Sequence, residues 1–226
     1  MTTETLNGQA VTRLLAHSLH PSERQKGAVT LVIVDMQPPF LARCKDSQLI
    51  PSVVAQVKLA IARNWAIVLV EVKPQTYGAT VRPILSLLEG KYQRFARVIK
   101  EGDDGSAEAL AACATHSYPQ EHFRVVGVLI NACIASTAWG LVGRNKTCLV
   151  RVIKEACGTT QQTARAWASF KQGPRLVVSS HKIDYPLKCQ CNKYIEPSGC
   201  EQCPSLFQMA LAYLARLWSL FTRLFD

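Results

Sequence analysis

The feature that most constrains this chain is a repeated alternation between short β-branched runs and longer stretches of helical spacing. The runs 28–35 (AVTLVIVD), 65–72 (WAIVLVEV), 96–100 (ARVIK), 124–130 (RVVGVLI), 147–154 (TCLVRVIK) and 175–179 (RLVVS) are mostly continuously apolar rather than alternating. Strands read this way when a parallel sheet is covered on both faces. Between the runs, residues 50–63, 79–89, 105–116, 132–142 and 160–171 carry helical spacing. Such a succession predicts an α/β fold with a doubly wound, six-stranded parallel sheet. In a sheet of this kind, ligands bind where strands finish at their carboxyl edge.

Residues 1–27 read as a helical N-terminal extension with its helix near 6–18, and the body of the fold spans 28–185. Residues 186–226 change character to a Pro-, Gly- and Cys-containing segment and then a strongly apolar stretch. With 48% apolar residues the chain can build a sizeable core, and global disorder is excluded as a class. Its formal charge of +10 favours anionic contacts. The basic residues are scattered, however, and no nucleic-acid motif accompanies them, so no nucleic-acid partner is expected. Residues 1–27 lack the apolar run of a secretory signal, so a cytoplasmic location is expected. There, nine cysteines read as thiols, metal ligands or catalysts rather than disulfides.

Three chemically capable residues share one context. Asp35 ends the first run, Lys100 ends the third, and Cys133 follows the fourth after Asn131 and Ala132. Parallel strand ends converge on one edge, so residues far apart in sequence are expected to meet. A thiol at the start of the helix expected over 132–142 lies in the field of that helix's N-terminus, and a neighbouring ammonium further favours the thiolate. A carboxylate beside the thiol can take its proton and pass it to a leaving group. Backbone N–H groups at the turn before Cys133 can receive an oxyanion. Each residue also has a plainer explanation: Asp35 as a cap or turn former, Lys100 as a solvated charge, Cys133 as packing.

The surrounding sequence adds weight. Residues 32–40 (VIVDMQPPF) resemble the "hydrophobic run, Asp-x-Gln, x-x-Phe" signature of the isochorismatase-like cysteine hydrolases, the nicotinamidase-related amidohydrolases. Residues 127–138 (GVLINACIASTA) resemble that family's nucleophile motif, and 150–160 (VRVIKEACGTT) resemble its strand ending in Asp-Ala, with Glu155 in place of Asp. Lys100, followed by Gly105-Ser106-Ala107, is similar to the lysine preceding a Ser-Ala segment in the family. The resemblance covers about residues 28–182. It implies a three-layer α/β/α sandwich, a homo-oligomer, and an Asp35–Lys100–Cys133 catalytic triad acting on a small amide-type substrate. It further implies a cis peptide at Val128-Leu129 and an oxyanion hole from the N–H groups of Leu129 and Cys133; Gln37 and Phe40 are expected as substrate-side residues, the alternative for Phe40 being a core or lid aromatic. Nicotinamidases carry an Asp-x-His metal pair; here 72–77 (VKPQTY) has no His and no carboxylate, so no catalytic metal is expected.

The last segment stands apart. Cys189, Cys191, Cys200 and Cys203 have spacings able to enclose one structural zinc, the alternatives being free thiols or disulfides. Residues 205–225 form an amphipathic helical pattern whose apolar face carries Phe207, Leu211, Leu214, Trp218, Phe221 and Phe225. This helix is expected to dock on protein or to make peripheral membrane contact. The alternative to a hydrolase is a catalytically inactive scaffold of the same fold, acting through this tail.

Overall fold

The structure, a computed structural model, describes residues 27–180. The N-terminal extension, the cysteine cluster and the amphipathic tail lie outside the described residues. By its contacts the chain divides into two compact units, Met1–Lys182 and Ile183–Asp226, and every described residue belongs to the first.

Six strands, β1 (Thr30–Val34), β2 (Ala66–Val72), β3 (Phe95–Lys100), β4 (His122–Val128), β5 (Leu149–Gly158) and β6 (Leu176–Ser179), form one sheet. Their order is β3-β2-β1-β4-β5-β6 and every pairing is parallel. The helices are α1 (Pro38–Leu41), α2 (Leu49–Ala62), α3 (Pro74–Tyr77), α4 (Arg82–Leu88), α5 (Ser106–Thr115), α6 (Ala135–Arg144) and α7 (Thr163–Ser169). Ile130–Ile134 makes a single π-helical turn between β4 and α6.

Successive strand residues point to opposite faces, and this sheet buries both. Val32, Val34, Val68, Val70, Val125 and Val152 face one core, closed by Ala109 and Cys113 of α5, Leu141 of α6 and Ala166 of α7. Leu31, Ile33, Ile67, Leu69, Val126 and Ile153 face the other, closed by Val53 and Val57 of α2 and by Ile84 and Leu88 of α4. That double burial is why the strands read as unbroken apolar runs. The three-layer sandwich expected from the sequence is therefore the fold observed.

The chain path explains where a site can form. From β1 it steps outward to β2 and β3, then returns through α5 to β4 on the far side of β1. Crossovers of one hand in opposite directions place their helices on opposite faces. The reversal opens a crevice between the carboxyl ends of β1 and β4, the expected ligand position in such a sheet.

Some boundaries differ from those read in the sequence. The run expected as a strand over 124–130 is strand only to Val128, and the helix expected from 132 starts at Ala135. Leu129 and Ile130 continue the apolar run, but they pack into the turn instead of extending the ladder.

Candidate active site

β1 delivers Asp35 to the crevice. Its backbone N–H donates to Val70 O of β2 at 2.9 Å, and it adopts φ 51° to leave the strand. β3 delivers Lys100, whose side chain is wholly buried although its sequence position also suits a solvated charge. The ammonium lies 2.8 Å from Asp35 Oδ2. It also donates to the backbone carbonyl of Asp103 at 3.0 Å.

β4 delivers Cys133 through a tightly fitted turn. Gly127 has φ +124°, and a Cβ there would sit 2.0 Å from Val34 O, so only glycine lets β4 pass β1 this closely. The Val128-Leu129 peptide is cis. Leu129 O then accepts hydrogen bonds from Ala132 N–H (3.1 Å) and Ile134 N–H (3.0 Å), which wraps the chain into the π-helical turn holding Cys133. Isolated π turns of this kind are frequent at functional sites.

The electrostatics differ from the sequence expectation in one respect. Cys133 sits in the π turn ahead of α6 rather than at the helix start. Burial and the neighbouring Asp35 carboxylate push its thiol up to about 12, outweighing the opposing pull of Lys100. Lys100 does not create a standing thiolate, because its charge is already matched by Asp35. Burial likewise raises Asp35 above the ordinary carboxylate range, against the stabilising effect of Lys100 and of Cys133. The resting site is thus a protonated thiol beside a desolvated carboxylate, a pair suited to passing one proton between them.

Gln37 is tied into the fold. It is fully buried, and its Nε2 donates to Val72 O (3.0 Å) and Gly78 O (2.6 Å) while its Oε1 accepts from Val72 N–H (3.0 Å). Its amide thus fastens the loops after β1 and β2 to each other. Phe40 is half-buried on α1 and pairs with Tyr77 of α3, ring centroids 5.1 Å apart, on the same sheet edge.

Asp103 is the residue that sequence reasoning missed. Its exposed carboxylate accepts a hydrogen bond from Cys133 Sγ at 3.6 Å, and Thr137 Oγ1 reaches its backbone carbonyl at 3.5 Å. The only sequence signal was its place in the loop directly after Lys100. Among the described residues, no group of three or more His, Cys, Asp or Glu side chains is placed to hold a metal ion. A separate cavity of about 610 Å³ lies between β3 and α5, lined by Arg97, Ile99, Glu108 and His116 among others, and does not include Asp35, Lys100 or Cys133.

No protein-family model matches the chain, and no curated protein matches it in sequence. Solved structures do match. The MAR1 ribonuclease from Caenorhabditis elegans superimposes with TM-score 0.57 at 18% identity, over 69% of this chain and 78% of that one. The nicotinamidase SaPncA from Staphylococcus aureus gives 0.56 at 17% identity, over 68% and 99%. An isochorismatase family protein from Burkholderia thailandensis gives 0.55 at 15% identity, over 69% and 93%. The chain has the isochorismatase-like fold.

Proposed function

We propose that this chain is a cysteine hydrolase that cleaves a C–N bond of a small amide-type molecule through a covalent acyl-enzyme on Cys133. The observation that carries this reading is the Asp35–Lys100 ion pair, both side chains essentially buried, set beside Cys133 at the switch point of the sheet. A buried ion pair seldom repays its desolvation through stability alone. The fold shared with a nicotinamidase supports the same reading.

The chemistry follows from the proton positions. Cys133 Sγ attacks the amide carbon as its proton passes to Asp35, so no free thiolate is needed. The oxyanion is received by the N–H groups of Leu129 and Cys133. Asp35, now protonated, gives its proton to the departing nitrogen as the C–N bond breaks, leaving a thioester. Asp35 then takes a proton from water, whose oxygen attacks the thioester carbon, and the acid leaves as the thiol is reprotonated. Lys100 stays paired with Asp35 and favours its carboxylate form against burial.

A ribonuclease reading, suggested by the names of three neighbours and the charge of +10, draws less from this site. A phosphodiester would bring negative charge against the exposed Asp103 carboxylate beside the nucleophile. The test is brief acrylamide treatment of the whole chain, followed by intact-mass measurement and site mapping. Cys133 is expected to label first, and Asp35→Asn or Lys100→Met to slow it by about a hundredfold or more. Labelling of Cys133 no faster than of the half-buried Cys44 would reverse the conclusion in favour of an inactive scaffold.

A further inference from the structure

The Asp103 carboxylate has no role in the steps above, yet it touches the nucleophile. Cys133 Sγ donates to its Oδ1 at 3.6 Å. The loop carrying it is held from below: Lys100 Nζ donates to Asp103 O at 3.0 Å, and Gly105 N–H donates to Thr137 Oγ1 at 3.0 Å. A Cβ at Gly105 would fall 2.5 Å from Val70 Cγ1, so the loop has little room to shift.

The nearby cations are otherwise engaged. Lys100 faces Asp35, Arg144 Nη1 lies 3.0 Å from Asp104 Oδ2, and Lys73 is 3.8 Å from Glu101. Among the described residues, none of these or any other cation pairs with the Asp103 side chain. A chain of net charge +10 therefore presents a negative charge beside its own nucleophile.

We propose that Asp103 sets the substrate class of this site, accepting the N–H donors of a cationic group, an ammonium or amidinium, carried next to the scissile amide and turning away carboxylate-bearing substrates. This rests on the reading of Cys133 as nucleophile. The thiol has one proton to donate. While that proton points to Asp103 it is not available to Asp35, and a bound cation that occupies Asp103 releases the thiol to face its base. The Phe40–Tyr77 pair on the same sheet edge offers ring faces compatible with a cation.

The test reads local charge at Cys133 without knowledge of the substrate. Methanethiosulfonates bearing an ethylammonium, an ethylsulfonate or a neutral ethyl group each form a mixed disulfide with Sγ and release methanesulfinate. Rates for Cys133 in the full-length chain are mapped by mass and normalised to a simple thiol. The cationic reagent is expected to outpace the anionic one by roughly five- to tenfold at low salt, the range for one nearby charge in a solvated mouth. Asp103→Asn should abolish the preference and Asp103→Glu should keep it, while Glu101→Gln, which removes an exposed charge two residues away, should leave it in place. A preference absent in the parent chain, or altered equally by Asp103→Asn and Glu101→Gln, overturns the proposal. Slow labelling of Cys133 by the neutral reagent would count against the nucleophile instead, because the ratio of charged reagents still reports the field of Asp103.

Discussion

At the scale of single residues, acidity does not distinguish the proposed nucleophile. Burial raises every described thiol: Cys113 to about 11, Cys133 to about 12, and Cys44, Cys148 and Cys157 also upward. What distinguishes Cys133 is a carboxylate beside it that is itself raised by burial and can take its proton. This fixes the expected pH dependence. Below the raised Asp35 titration the carboxyl is protonated and accepts nothing, so alkylation of Cys133 falls on acidification, with its acid limb above the ordinary carboxylate range. Above that limb the rate is flat, because proton transfer to Asp35 replaces ionisation in solution. A thiol reacting alone would gain about tenfold per pH unit until its own titration. Rates of acrylamide labelling between pH 5 and 9 separate the two; a tenfold-per-unit climb in the parent chain rules out Asp35 as the base, and Asp35→Asn is expected to produce that climb. Asp35 and Cys133 were legible in the sequence because each follows an unmistakable apolar run. The burial of Lys100 was not, since a lysine after a strand looks the same whether it faces solvent or an aspartate two strands away in sequence.

At the scale of elements, the site depends on how closely β4 passes β1. Gly127 lies next to Val34 in the parallel register, and its φ of +124° leaves no space for a side chain. Gly127→Ala should destabilise the chain by about 2–4 kcal/mol, the sum of a strained backbone and a forced separation of two central strands. Chemical denaturation measures the loss. A change below about 1 kcal/mol would mean that β4 can move away without cost, and the turn at Leu129–Cys133 would then owe nothing to this contact. Among the described residues, the six strands were read correctly in kind, because doubly buried strands leave a period-free apolar signature. Their ends were less visible. Nothing in the hydrophobic pattern marks Val128 as the last strand residue, since Leu129 and Ile130 are equally apolar. The short helices α1 and α3 each begin with proline, a helix-start signal, but four residues are too few to show a period.

At the scale of the whole molecule, all the residues assigned to the site lie between Asp35 and Thr137, within the unit Met1–Lys182. The four clustered cysteines belong to the sequence of the other unit, Ile183–Asp226. No helix among the described residues is long and apolar enough to cross a membrane. This division in sequence allows the two chemistries to be separated without cutting the chain. We propose that Cys189, Cys191, Cys200 and Cys203 bind one structural zinc, as four thiolates can without leaving a position open for catalysis. Elemental analysis of the purified full-length chain should then give one zinc per chain. Cys200→Ser with Cys203→Ser should remove the zinc, because two thiolates no longer complete a tetrahedral site, and should leave the rate of Cys133 labelling within about twofold, because none of the four is among the residues assigned to the candidate site. Absence of zinc from the parent chain refutes the metal site. Zinc lost together with Cys133 reactivity would instead show that the second unit supports the first, and that residues 28–185 are not self-sufficient.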